Sequence, residues 1–122
     1  MTATTATLGD IAHARSGDKG NHANIAVLAY TDMGYRRLRD HLTVELVKDY
    51  FAAFGPSRVV RFDAPNLLAL NFVLYDVLAG GASRSLRSDT QGKTLALALL
   101  RMPLPPFDDL PAMRRPASEK SA

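Results

Sequence analysis

The sequence predicts an α+β protein in which helices pack on one face of a mainly antiparallel sheet of about four strands. Two short apolar runs, over residues 24–30 and 57–65, have the length and the β-branched and aromatic content of strands. Between them, apolar side chains recur every three or four residues from Tyr35 to Phe54, which is typical of an amphipathic helix. The length of 122 residues and the 47% hydrophobic content suit a single core.

The N-terminal elements follow in order along the chain. Residues 7–15 (TLGDIAHAR) alternate imperfectly between apolar and polar side chains and predict a first strand, which a glycine-rich loop joins to the strand over 24–30. The amphipathic helix ends at Gly55-Pro56, and Thr43 is a suitable cap for a second helical piece within it. Ser57–Pro65 predicts a third strand because it is β-branched and stops at a proline.

The C-terminal half is more apolar. Asn66 is a suitable cap for a helix over residues 67–79 that is apolar on nearly every side, and two glycines end it. A short strand is predicted over residues 83–87. Residues 90–102 fit a strand, because their leucines alternate, and also a helix, which their alanine content favours.

One folded domain is predicted over residues 7–102, between a flexible N-terminus (1–6) and a proline-rich extended arm (103–122). The formal net charge is +3, but residues 111–122 contribute +2 of it through three basic side chains and one acidic one. The folded body is therefore nearly neutral. It lacks the basic stripe with interleaved aromatic side chains that nucleic-acid binding favours, so no nucleic-acid partner is predicted.

The absence of cysteine excludes disulfide bonds, thiolate catalysis and protein-ligated iron–sulfur clusters. The longest apolar stretch, over residues 67–79, is interrupted by Asn71 and Asp76 and is too short to cross a bilayer. The N-terminus has no basic region followed by an apolar block. We therefore expect a cytoplasmic protein with no membrane segment and no cofactor.

Three motifs with catalytic or ligand-binding chemistry are incomplete. The segment Gly92–Thr94 resembles the end of a nucleotide-binding loop, but Arg87 stands where that loop needs its first glycine. The three histidines lack metal-ligand spacing, so no metal site is predicted. Ser16, Asp18 and His22 are the residue types of a nucleophile triad, but they fall in one short loop, whereas triads are assembled from separate elements.

The polar loop over residues 15–21 is the strongest candidate for binding chemistry. Its glycines free the backbone to point successive N–H groups at one anion, and its cations and small polar side chains add charge and hydrogen bonds. The residues are Arg15, Ser16, Gly17, Asp18, Lys19, Gly20 and Asn21. The alternative is an exposed hairpin in which Asp18 and Lys19 are turn residues.

A second cluster repeats this chemistry with Gly80, Gly81, Ser83, Arg84 and Arg87. If the sheet brings both loops to one edge, their arginines form a pocket suited to a carboxylate or a phosphate, because the guanidinium fork binds such groups with two hydrogen bonds. The alternative is that Arg84 and Arg87 pair with nearby aspartates and hold the loops together.

Three long segments carry a resemblance to a known family. LGDIAHARSGDKGNHANIAVLA, LTVELVKDYF and PNLLALNFVLYDVLAGGASRSLRSDTQGKTLALALLRM are similar to the AtuA-like domain, named for acyclic terpene utilisation, and together span most of Leu8–Met102. The resemblance implies a ferredoxin-like sandwich, a topology that needs no iron. Two predicted strands precede the first long helix here, so we expect a permuted or augmented version of the simple βαββαβ order.

The resemblance also implies a partner. The family's domain occurs at the C-terminus of a larger AtuA protein, and as a small separate protein that accompanies a large AtuA-type subunit. This chain is similar to the separate form. The family is associated with catabolism of acyclic terpenes and related branched acids as coenzyme A thioesters.

Two hypotheses follow. In the first, the chain is the small subunit of a complex acting on an acyl-CoA. Asp18 and Lys19 are then the catalytic candidates, with Asp18 as an acid or base, while the other residues of both loops and Asn24 bind substrate. In the second, the chain is a non-catalytic module that docks onto the large AtuA-type subunit. Both predict a homo-oligomer or a hetero-oligomer, which the nearly all-apolar helix and the proline-rich arm also favour.

Overall fold

Four strands and four helices make up the described part of this computed structural model, which comprises residues 6–20, 22–77, 91–105 and 110–114. The strands are β1 (Ala12–Lys19), β2 (His22–Ala29), β3 (Arg58–Ala64) and β4 (Ala69–Tyr75). The helices are α1 (Asp32–His41), α2 (Val44–Tyr50), α3 (Gln91–Leu100) and α4 (Leu110–Met113). Short 3-10 turns span Leu8–Asp10, Ala52–Phe54 and Pro65–Leu67.

The strands form one sheet in the order β1-β2-β4-β3, and every neighbouring pair is antiparallel. Up to α3 the chain runs as two strands, the consecutive helices α1 and α2, two strands and then α3, so α1 and α2 together occupy one helix position of the ferredoxin-like order. Moving the last strand of a βαββαβ ferredoxin-like chain to its front gives this order. Thr7 forms an antiparallel bridge with Pro103, so the segments that precede β1 and follow α3 meet where the permutation cuts the chain. The predicted α+β class and its permuted ferredoxin-like order are confirmed.

Alternating burial shows which face of the sheet the helices cover. Ala23, Ile25, Val27 and Ala29 of β2 are buried in the core with side chains of the helices, while the residues between them are half-buried. The half-buried residues face the opposite side, because successive side chains of a strand point to opposite faces. Among the described elements no helix covers that second side, which we call the open face.

The predicted helix over residues 67–79 is wrong, because most of this stretch is the central strand β4. Asn66 lies in a 3-10 turn rather than at a helix cap, and Leu68 reverses the chain with a positive φ of 54°. Strand β4 pairs with a strand on each side and carries apolar residues on both faces. A strand that is apolar on both faces and a helix that is apolar all round produce the same kind of sequence.

Elsewhere, the helix caps and the helix that the sequence predicts are present in the structure. Thr43 caps α2, as predicted, by accepting the Leu46 N–H on its Oγ1 at 3.1 Å. Gly55 ends the turn after α2 with a φ of 63°, a conformation that favours glycine. Residues 91–100 form a helix, as their alanine content favours. The strand predicted over residues 83–87 lies outside the described residues.

The described residues after α3 contribute to the core. Leu104 is buried and its N–H bonds to the Ala6 carbonyl at 2.8 Å. Part of the predicted extended arm is the helix α4, in which Met113 is fully buried. Apolar residues among the prolines therefore anchor this segment to the domain. No helix in the described ranges has the length and apolar character needed to cross a membrane.

Arg61 on β3 ties the sheet to the end of α1. Its Nη1 donates to the carbonyl oxygens of Arg39 at 2.9 Å and Leu42 at 3.0 Å. Its Nε and Nη2 contact the two carboxylate oxygens of Asp63 at 2.8 and 3.1 Å. Because the last carbonyls of a helix have no partner within the helix, this guanidinium serves as a cap supplied by the sheet.

Replacing Arg61 with methionine is expected to lower the free energy of unfolding by about 2 kcal/mol, since charge-assisted hydrogen bonds to α1 and Asp63 are lost together. Urea denaturation followed by circular dichroism measures it. Arg36→Met is the matched control: Arg36 pairs with Asp32 at 3.1 Å on the exposed side of α1 and should cost less than about 0.5 kcal/mol. Equal losses would contradict the capping role.

Candidate functional site

The predicted polar loop is mostly strand. Strand β1 runs on to Lys19 and β2 begins at His22, which is the register partner of Lys19, so only two residues separate the two strands. Gly20 has a φ of 62°, which suits a two-residue hairpin turn. The expected loop over residues 15–19 is therefore corrected to the end of a hairpin. Along a strand, successive N–H groups point in alternating directions, so these five residues do not form an anion nest.

The hairpin separates the predicted site residues onto two faces. Arg15 and Gly17 lie on the open face, where Gly17 is the direct partner of Asn24 and Arg15 is the partner of Ala26. Ser16 is the partner of Ile25 and lies on the helix side. The structure thus brings Arg15, Gly17 and Asn24 together on the open face and places Ser16 away from them.

The remaining predicted site residues are Asp18, Lys19, Asn21 and the second cluster. Asp18 and Lys19 are the last two residues of β1. Asn21 and the second cluster (Gly80, Gly81, Ser83, Arg84 and Arg87) lie outside the described residues. The meeting of the two clusters at one edge, and the roles of their side chains, stay predictions.

A groove runs beside the outer edge of β1, against α3. It has a volume of about 640 Å³ and is lined by His13, Arg15, Ser16 and Leu97, together with Ala14 and Ala96. The Oγ atom of Ser16 is buried and has no hydrogen-bond partner within the described residues. A buried hydroxyl without a partner is costly, so this oxygen would be stabilised by a hydrogen-bond partner that the described residues do not supply.

Sequence reasoning missed a cluster at the hairpin end of the sheet. The Asp76 N–H donates to His22 Nδ1 at 3.1 Å, and the Ser57 hydroxyl donates to the Asp76 carboxylate. The Tyr75 ring lies between His22, at 4.7 Å between ring centroids, and the Arg58 guanidinium, at 4.3 Å from the ring centroid. These residues belong to three strands or directly flank them, so the pairing of β4 with β2 and β3 brings them together.

This cluster does not have the connections of a nucleophile triad. In a triad the histidine lies between the nucleophile and the acid and accepts the nucleophile's proton. Here Ser57 is bonded to Asp76, and His22 Nδ1 is occupied by a backbone N–H. The neutral His22 ring therefore carries its proton on Nε2, and it is placed to donate a hydrogen bond rather than to activate Ser57.

Metal binding has no support in the described geometry. Over residues 6–20, 22–77, 91–105 and 110–114, no three histidine, aspartate or glutamate side chains come together as a metal site requires. What the open face offers instead is hydrogen bonding by neutral groups. Asn24 Nδ2 donates to Asn71 Oδ1 at 3.3 Å across the boundary between β2 and β4.

Comparison with known families agrees with the topology. A family model described as the AtuA ferredoxin-like domain matches residues 6–105, which include all four strands and α1, α2 and α3. No match is found among the curated proteins or among the solved structures.

Proposed function

Because the chain belongs to the AtuA ferredoxin-like domain family, we propose that it is the small accessory component of an AtuA-type complex in the catabolism of acyclic terpene or branched acyl-CoA compounds. The large AtuA-type subunit is its partner. The open face of the sheet is where the two proteins assemble. The observation that carries this proposal is the apolar composition of that face.

The open face differs from a sheet surface adapted to water. An antiparallel sheet with one solvated face normally alternates apolar residues on the core side with polar residues on the other. Here strands β2, β4 and β3 present Ala26, Leu28, Val60, Val73 and Phe62 on the open side, and 55% of Phe62 is exposed. These partly exposed apolar side chains lie around the Asn24–Asn71 pair, and a mixture of apolar surface and hydrogen-bonding amides supports a protein interface.

Polar residues border this surface and support a specific orientation of the partner. Arg15 lies at the β1 edge of the open face, and Arg58 lies on the β3 edge at the hairpin end. An apolar centre with charged side chains around it is the usual anatomy of a protein interface, in which the centre supplies affinity and the rim supplies register.

The test of this proposal is co-purification. The chain and the large AtuA-type protein are produced together, with an affinity tag on the large protein alone. We expect a complex of fixed stoichiometry on size-exclusion chromatography. Two proteins that elute separately under these conditions would overturn the proposal.

A second candidate function is binding of an anionic group of the substrate, and the groove beside β1 favours it. Arg15 supplies positive charge there, and the buried Ser16 hydroxyl has no partner within the described residues. In an assembled and active complex, Arg15→Ala is expected to raise KM about tenfold while the complex stays intact.

Asp18→Asn tests the acid-base role separately, because loss of a proton-transfer group lowers kcat instead. If neither variant changes KM or kcat, the binding and acid-base roles are contradicted and docking is the one function that remains.

A further inference from the structure

A cavity opens on the open face at the hairpin end of the sheet. Its volume is about 340 Å³, within the size range of small-ligand pockets. The residues that line it are His22, Ala23, Asn24, Asn71, Val73 and Tyr75. No lysine, arginine, aspartate or glutamate is among these lining residues, so the cavity is suited to an uncharged part of a ligand.

Two amide side chains, those of Asn24 and Asn71, are among the residues that line this cavity. A side-chain amide can donate two hydrogen bonds and accept two. Within the described residues, these two side chains make one hydrogen bond, from Asn24 Nδ2 to Asn71 Oδ1. Both side chains are part-buried. Each amide therefore keeps donor and acceptor capacity directed to the cavity or its solvent, which a ligand able both to donate and to accept would satisfy.

The walls of the cavity add a donor and apolar surface. Because the Asp76 N–H occupies His22 Nδ1, the neutral ring presents Nε2–H as its donor. The Tyr75 ring packs against His22, and the guanidinium of Arg58 stacks on the same tyrosine. These contacts restrict the positions of both rings. The cavity is thus a pre-organised combination of neutral hydrogen-bonding groups and an apolar wall.

Gly17 leaves the space that Asn24 requires. It lies directly opposite Asn24 on β1, and a methyl group added to it would come within 3.3 Å of Asn24 Oδ1. Its φ is not in the positive range, so the strand itself does not require a glycine here. The small residue is therefore explained by the amide beside it rather than by backbone conformation.

We propose that this cavity binds a neutral secondary amide of a ligand, and that the amide is in the pantetheine arm of the acyl-CoA. The second part of this inference rests on the proposed function. Pantetheine is an uncharged aliphatic chain with two secondary amides, each of which donates one hydrogen bond and accepts others. Those amides complement the Asn24 and Asn71 side chains, and the aliphatic segments complement Val73 and Tyr75.

The experiment is an NMR titration of the full ¹⁵N-labelled chain with pantetheine under reducing conditions. We expect the side-chain amide signals of Asn24 and Asn71 to shift with a common Kd. Adenosine 3′,5′-bisphosphate, which carries the nucleotide part of coenzyme A without the pantetheine arm, should leave these two signals in place. Asn71→Ala should weaken pantetheine binding about tenfold, the effect of losing one or two hydrogen bonds.

Two further variants make the outcome decisive. Asn66→Ala is the matched control, because Asn66 is exposed in the turn before β4 and should not change the Kd. Gly17→Ala tests the same site without removing an amide, and should weaken binding by displacing Asn24. The inference is overturned if pantetheine shifts neither asparagine signal, or if Asn66→Ala weakens binding as much as Asn71→Ala.

The titration tests ligand binding in the cavity and the co-purification tests assembly with the large subunit, so either can fail without the other. Assembly with the large subunit without pantetheine binding by the chain would remove this inference and keep the proposed function. Pantetheine binding without assembly would keep the amide site and remove the accessory-subunit proposal. Shifts at Asn24 and Asn71 that appear on adding the large subunit but not on adding pantetheine would assign the cavity to a partner peptide group, and would also overturn the inference.

Discussion

Replacing Phe72 with alanine is expected to lower the free energy of unfolding by about 3–5 kcal/mol, the largest effect of any substitution considered. Phe72 is fully buried in β4, the strand with a partner on each side. Its register partners are Ile25 on β2 and Arg61 on β3. Truncation leaves a cavity between the sheet and the helices, which the paired backbone of a central strand cannot close. Urea denaturation monitored by circular dichroism measures the loss.

Phe62→Ala is the control for this prediction. It makes the same substitution in the neighbouring strand, but its side chain lies on the open face and is 55% exposed, so the expected loss is below about 1 kcal/mol. The contrast depends on the alternation of faces in the sheet. Similar losses for both variants would contradict the assignment of Phe72 to the core side.

The error over residues 67–79 has a physical origin in the same residues. Leu70, Phe72 and Leu74 are buried on the helix side of β4, and this alternation has the period of a strand. Val73, on the other side, is also apolar, and this hides the alternation. On the open face, Val73, Val60 and Phe62 stand where a solvated sheet would carry polar residues, beside the polar Asn24 and Asn71. The feature that misled the secondary-structure prediction is thus the one that supports an interface.

The two signals at the ends of α2 and of the turn after it were more predictable because they are local. Thr43 caps α2 through a bond to a backbone group three residues away, and Gly55 adopts a conformation that few other residues favour. Each signal is contained in a few consecutive residues. The cap that Arg61 supplies to α1 could not be predicted in this way, because the arginine belongs to another element, β3.

The candidate site was predictable in its residue types and not in its geometry. Gly17 and Asn24 were singled out in the sequence, and the β1–β2 register makes them direct partners on the open face. Asn71 was assigned to a helix, so its bond to Asn24 could not be anticipated. Asp76 reaches His22 only because β4 pairs with β2 and the chain turns at Asp76 with a φ of 66°. Such contacts follow from strand order rather than from spacing along the chain.

The energetics of the proposed interface depend on a few residues of the open face. Truncating an aromatic side chain that a partner buries fully commonly costs about 2 kcal/mol or more in binding, on the order of 30-fold in Kd. Phe62 is the most exposed aromatic side chain among the described residues, and it lies opposite Asn71 on the open face. It is therefore the residue whose loss should affect binding by the large subunit most.

Phe62→Ala is accordingly expected to weaken assembly with the large AtuA-type subunit by about 30-fold or more, while the variant remains folded. Surface plasmon resonance with the large subunit immobilised measures this change in Kd. Met33→Ala is the matched control, since Met33 is 42% exposed on α1, in the helix layer on the other side of the sheet. If Met33→Ala weakens assembly and Phe62→Ala does not, the partner binds the helix layer, and the open face is not the interface.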